Sequence, residues 1–156
     1  MKILVVYYSR TGHTKKIGDM IADALKCDHE EIVDTKKRSG IWGWLTLGKD
    51  ATKKDLTKIK PPKNNPSSYD MVVIGTPIHS WGLSSPVRTY IRENKDKFKN
   101  VAFFCTCDSS GMERAFSDME KESGKKPVDT MSITKKELKN RDYTKKINQF
   151  IKSIKS

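Results

Sequence analysis

The sequence predicts an α/β fold, a doubly wound parallel sheet of five strands with helices on both faces, and three observations lead there. Apolar runs rich in Val, Ile and Phe recur along the chain with little alternation, as strands buried on both faces require. Helical patterns with one apolar stripe separate and follow them, and such helices supply the cover. None of the runs approaches the roughly 20 apolar residues of a membrane span.

The runs fall at residues 2 to 9 (KILVVYYS), 30 to 33 (EEIV), 70 to 77 (DMVVIGTP), 100 to 107 (NVAFFCTC) and, less sharply, 128 to 133 (VDTMSI). Four helical sets follow the i, i+3, i+4, i+7 spacing. They are Ile17, Met20, Ile21, Ala24 and Leu25; Val87, Tyr90 and Ile91; Met112, Ala115, Phe116 and Met119; and Ile147, Phe150, Ile151 and Ile154. Residues 34 to 68 break the alternation with lysines, three of the six prolines and the pair Trp42 and Trp44. Gly40, Gly43 and Gly48 weaken any helix there, so the stretch reads as a long, partly irregular connection. Trp42, Leu45 and Leu47 are its candidates for docking on the sheet.

At 156 residues the chain is expected to form one domain, residues 1 to 156, with a core that needs no disulfide or metal. The opening MKILVVYY has neither the length nor the small-residue cleavage site of a signal peptide, which points to a soluble cytoplasmic protein. Cys27, Cys105 and Cys107 are odd in number, and Cys105-x-Cys107 lacks the spacing of a redox dithiol or of zinc ligands. The cysteines therefore read as core residues, and no metal is expected.

The formal charge is +12, and its placement is uneven. Residues 35 to 64 carry nine Lys or Arg against two acids, and residues 135 to 156 carry eight against two, so the remainder is close to neutral. A basic face of this kind is either merely solvated or steers an acidic partner. No nucleic-acid recognition motif accompanies the lysines.

In a doubly wound sheet, ligands bind beyond the carboxyl ends of the strands where strand order reverses, which singles out the loops after the first, third and fourth runs. The first, SRTGHT (9 to 14), places Ser9, Thr11 and Thr14 around Gly12 at the start of a helix. Amides without intrahelical partners, a positive dipole end and three hydroxyls suit a phosphate. Capping by one Ser or Thr would use one hydroxyl and leave two. The loop is neither a Walker sequence nor a GxGxxG fingerprint. The second, GTPIHSWGLSSP (75 to 86), combines Trp81 with Gly82 and ends on Ser84, Ser85 and Pro86, which suit a helix cap and first turn. The third, CTCDSSGMERAF (105 to 116), offers Thr106, Asp108, Ser109, Ser110 and Gly111 at another helix start.

These loops together resemble those of the flavodoxins. S-x-T-G-x-T directly after the first strand is similar to the flavodoxin phosphate-binding signature, GTPIHSWG to the loop along the flavin ring, and CTCDSSG to the third flavin loop. The resemblance spans nearly the whole chain. It implies strand order 2-1-3-4-5 and FMN as cofactor, with Ser9, Arg10, Thr11, Gly12, His13 and Thr14 on the phosphate. It likewise implies Thr76, Pro77, Ile78, His79, Ser80, Trp81 and Gly82 along the isoalloxazine, and Thr106, Asp108, Ser109 and Gly111 toward its pyrimidine edge or the ribityl chain. A peptide at Trp81-Gly82 able to turn its carbonyl toward the flavin would exploit the freedom of glycine.

The implied function is electron transfer between redox proteins, with an acidic, ferredoxin-like partner matching the basic surface. Residues 106 to 112 contain no aromatic, and GTPIHSWGLSSPV is also similar to flavodoxin-like NAD(P)H-quinone reductases and protoporphyrinogen oxidases, so a small FMN-dependent reductase is the alternative. A non-catalytic basic binding module is the third reading. No catalytic residue is assigned; His79 is the one proton donor of the second loop.

Overall fold

The computed structural model describes residues 1 to 35, 56 to 79 and 81 to 156, the side chain of His79 excepted. The expectations for Gly40, Trp42, Gly43, Trp44, Leu45, Leu47, Gly48 and Ser80 fall outside the described residues. The strands are β1 (Ile3–Tyr7), β2 (Asp28–Glu31), β3 (Met71–His79), β4 (Gly82–Leu83), β5 (Val101–Cys107) and β6 (Thr130–Thr134). The helices are α1 (His13–Leu25), α2 (Ser85–Asn94), α3 (Met112–Ser123), α4 (Lys135–Lys139) and α5 (Thr144–Lys155).

Five parallel strands run in the order β2-β1-β3-β5-β6, and β4 pairs antiparallel with β3 off that path. Counted among parallel strands alone, this is the expected order 2-1-3-4-5. The chain leaves β1 toward β2 on one side and then returns to build β3, β5 and β6 on the other. The switch point therefore lies between the carboxyl ends of β1 and β3.

Alternate strand residues feed two cores. Ile3, Val5, Tyr7, Val73, Phe104 and Ile133 pack against Ile17 and Ile21 of α1 and Ile147, Phe150 and Ile154 of α5. Leu4, Val6, Val72, Ile74 and Phe103 pack against Val87, Tyr90 and Ile91 of α2 and Met119 of α3. Most of the helical stripe read from the sequence is buried, whereas Met20, Leu25, Met112 and Phe116 are half-buried and Ala24 is exposed.

The second strand is shifted from its expected place. Residues 30 to 33 were the apolar candidate, but the ladder pairs Asp28 to Glu31 with Leu4 to Tyr7. As an edge strand, β2 needs no buried side chains, and charged residues suit an edge that must resist pairing with other chains. Ile32 and Val33 lie just beyond it; Ile32 is buried, and its N–H donates to the Tyr7 carbonyl at 2.7 Å.

Two elements went unread in the sequence. Strand β4 is only two residues long, and α4 opens on a capping box: Thr134 Oγ1 accepts from the Glu137 N–H at 3.2 Å, and Glu137 Oε2 accepts from the Thr134 N–H at 2.8 Å. The T-x-x-E spacing that announces it stands in the sequence at 134 to 137.

Helices α2 and α3 are tied by a buried ion cluster. Arg88 donates to Glu122 and, at 3.4 Å, to Asp118, while Arg92 Nε reaches Glu122 at 2.6 Å. The Arg92 and Arg88 guanidinium groups outweigh the effect of burial and hold the Glu122 carboxyl below its usual range. Removing Arg88, the buried cation of the set, leaves buried carboxylate charge unpaired and costs about 3–5 kcal/mol. The brace fixes the loops that precede the two helices relative to one another.

Candidate cofactor-binding site

Tyr7 ends β1, and the chain turns through Ser9 to Gly12 into α1. Gly12 is the N-cap at φ +96°, a conformation costly for any residue with a Cβ. No side chain caps the helix. The Ser9 hydroxyl accepts from the Gly12 N–H at 3.1 Å, and the Gly12 carbonyl takes the Lys16 N–H at 3.0 Å. Among the described residues, the amides of the first turn, His13 to Lys15, are left without an acceptor at the positive end of the helix. Single-hydroxyl capping, the simpler reading of this sequence, is therefore not what the chain does.

Space accompanies the free donors. Nothing lies within 4 Å of where a Gly12 Cβ would stand. A cleft of about 330 Å³ opens there, walled by Arg10, Thr11, His13 and Thr14, by Pro77 and Ile78 from β3, by Thr106, Cys107 and Asp108, and by Lys135 and Leu138 of α4. Thr14 and Thr106 share a buried hydroxyl contact of 2.8 Å that joins the first and third loops. Uncapped amides, hydroxyls and two cations in one roomy cleft fit a phosphorylated ligand.

The second loop is a tight hairpin. Ile78 pairs with Leu83 and His79 with Gly82, and two-residue hairpin connections demand positive φ. The residue that supplies it is Trp81, at φ +68°, with its side chain 67% exposed at the tip. Gly82 lies in β4 and does not adopt the left-handed region. Among the described residues of the hairpin, the left-handed conformation thus falls on the tryptophan that precedes Gly82. Thr76 is fully buried and holds the hairpin base, contacting the Ser84 hydroxyl at 3.0 Å and donating to the Pro77 carbonyl at 2.8 Å.

Gly111 begins α3 as Gly12 begins α1, at φ +93° with no side-chain cap. A Cβ there would stand 2.9 Å from Ile78 Cγ2 and 3.4 Å from the Trp81 backbone, so the glycine lets the third loop lie against the hairpin.

Of the residues singled out in the sequence, Arg10, Thr11, His13, Thr14, Pro77, Ile78, Thr106 and Asp108 meet in the cleft. Ser9 and Gly12 shape its loop, while Thr76, Trp81, Gly82, Ser109 and Gly111 are not among its walls. Sequence reasoning missed Cys107, Lys135 and Leu138. The two lysines of the first turn of α1 are committed elsewhere. Lys15 pairs with Asp19 at 3.0 Å and donates to the Tyr7 hydroxyl, and Lys16 lies over the Tyr143 ring at 5.5 Å.

Other chemistry is weak among the described residues. No cluster of His, Cys, Asp and Glu could hold a metal, all three cysteines are free, and no helix is long and apolar enough to cross a membrane. A sulfhydryl contact with Cys107, together with burial, pushes the Cys105 thiol up and keeps it protonated. A cleft of about 380 Å³ flanks β2. Two amides on its rim, those of Lys63 and Asn64, are already taken by Glu30, and none of the three loops supplies a hydroxyl to it.

Solved structures share this fold. A flavoprotein from Lactobacillus acidophilus NCFM, in complex with FMN, is 21% identical with a TM-score of 0.75 over 89% of this chain and 97% of its own. A protein from Bacteroides eggerthii DSM 20697, itself only proposed to be a flavoprotein, is 23% identical with a TM-score of 0.74 over 99% and 98%. The two-electron reduced flavodoxin of Megasphaera elsdenii is 16% identical with a TM-score of 0.61 over 97% and 96%. The family model described as a flavodoxin domain matches residues 46–155. With most of the chain matched and the loops arranged at the switch point of its sheet, the chain belongs to the flavodoxin domain family.

Proposed function

We propose that this flavodoxin domain binds FMN and carries electrons between redox proteins. The observation that carries the reading is the uncapped start of α1. Its first-turn amides have no acceptor among the described residues, Arg10 and Thr11 line the same cleft, and the Thr14 hydroxyl, in contact with Thr106, lies at its wall. FMN, when bound, supplies one- and two-electron redox chemistry. The protein's part is to bind the phosphate at the first loop and to orient the ring system between Pro77, Ile78 and the third loop. Exposed Trp81 stands at the hairpin tip, where a partner or the ring itself can meet it.

The cations of α5 support an acidic redox partner. Lys145, Lys152 and Lys155 are exposed, and complementary charge raises association rates in a way that salt removes. We place the protein in the cytoplasm on the strength of its three unpaired cysteines. The absence of an aromatic between residues 106 and 112 favours a second reading, a small reductase, because an open ring face would admit a quinone-like acceptor.

The test is to purify the protein and record its visible spectrum, then mix it with NADH or NADPH and an acceptor quinone. Bound flavin with no nicotinamide oxidation, reducible by an acidic iron–sulfur protein at a rate that falls with salt, is expected. Fast nicotinamide oxidation would replace the carrier reading by the reductase. A colourless protein that gains no flavin on reconstitution would overturn both.

A further inference from the structure

The phosphate of FMN carries close to two negative charges, and hydroxyls and amides alone leave that charge uncompensated in a partly enclosed cleft. Lys15 and Lys16, the nearest lysines in sequence, are turned to Asp19 and to Tyr143. The cleft nevertheless presents two cations, Arg10 from the first loop and Lys135 from the first position of α4. Neither has a carboxylate within salt-bridge reach among the described residues. Glu137, the acid nearest Lys135 in sequence, is committed to the Thr134 cap and to Lys146 Nζ at 2.7 Å. The acid in the cleft wall itself is Asp108, on the third loop.

We infer that Lys135 is a phosphate-binding residue of this site, delivered from beyond the three loops by α4 and paired with Arg10 across the cleft. The inference rests on FMN as the cofactor. The capping box is what makes the delivery reliable. By satisfying the Thr134 and Glu137 amides internally and occupying the Glu137 carboxylate, the box holds Lys135 at the cleft wall with no salt-bridge partner among the described residues. Position 135 therefore sets the preference for a phosphorylated flavin over an unphosphorylated one.

The test is titration of apoprotein with FMN and with riboflavin, followed by quenching of flavin fluorescence, for the wild type, Lys135→Gln and Lys136→Gln. Lys136 is an exposed neighbour that does not line the cleft, so its variant controls for net charge. Lys135→Gln is expected to bind FMN about tenfold more weakly. Its riboflavin affinity should be unchanged, and its FMN affinity should depend less steeply on salt. Lys136→Gln should match the wild type. Equal losses for both flavins, no loss for FMN, or an equal effect from Lys136→Gln would overturn the inference. A wild type that binds neither flavin would instead overturn the FMN reading on which it rests.

Discussion

The two helix starts that border the cleft are built in opposite ways. Helix α4 is short and opens on a capping box, its Thr134 and Glu137 side chains satisfying each other's backbone amides. Helix α1 is more than twice as long and begins on a left-handed glycine with no side-chain cap at all. Capping contributes about 1 kcal/mol, so α1 leaves available stabilisation unused where a ligand can supply the missing acceptor, whereas α4 takes it. Open donors at one end and a closed box at the other distinguish a binding element from a supporting one.

Helix α3 sharpens the contrast, because it too starts on an uncapped left-handed glycine but against the hairpin, not against open space. Gly111→Ala should have the largest effect. The strain of positive φ and the contact with Ile78 together should cost about 2–4 kcal/mol. Gly12→Ala, with room for its methyl group, should cost only the strain, about 1–2 kcal/mol. Thermal melts of the two apoproteins separate these cases, and equal losses would mean that the hairpin does not rest on Gly111.

Thr134→Ala should come next, with a loss of about 1 kcal/mol and a midpoint lower by about 2–4 °C. Thr11→Ala should do the reverse, leaving the apoprotein within about 0.5 kcal/mol of the wild type while weakening FMN binding about fivefold. Melts and flavin titrations on the same two variants check this crossed pattern. If Thr11→Ala destabilised the apoprotein as much as Thr134→Ala, the open end of α1 would be a cap after all.

The smallest effect concerns acid. Burial would push the Glu137 carboxyl up, but hydrogen bonds from Lys146 and the Thr134 backbone outweigh it and hold the group below its usual range. A depressed folded value means stability that is present above the unfolded value and lost as pH falls through the folded one. The difference in melting temperature between wild type and Glu137→Gln should therefore shrink as pH is lowered from about 7 toward about 3. The first turn of α1 contains no acid, so its end should show no such dependence.

Much of this arrangement was legible in the sequence because burial writes itself as periodicity. Strands β1, β3 and β5 are buried on both faces and appear as unbroken apolar runs, and the helices show their stripes. Strand β2 lies at an edge, so Asp28 to Glu31 carry no apolar signal and the nearby Ile32 and Val33 drew the assignment two residues too far. The left-handed Trp81 could not be read from composition, since positive φ ordinarily selects glycine. Lys135 was overlooked for a topological reason. The switch-point rule directs attention to the loops flanking the reversal, whereas α4 follows the outermost strand and reaches the cleft only by packing over its end.

The central claim is that the uncapped start of α1 is kept open for a phosphate. It is tested most directly by the ratio of FMN to riboflavin affinity of the wild-type apoprotein, measured by fluorescence quenching in one buffer. Free amides, the Thr11 hydroxyl and two cations meeting one phosphate should favour FMN by about 100-fold or more. Equal affinity for the two flavins would contradict the claim.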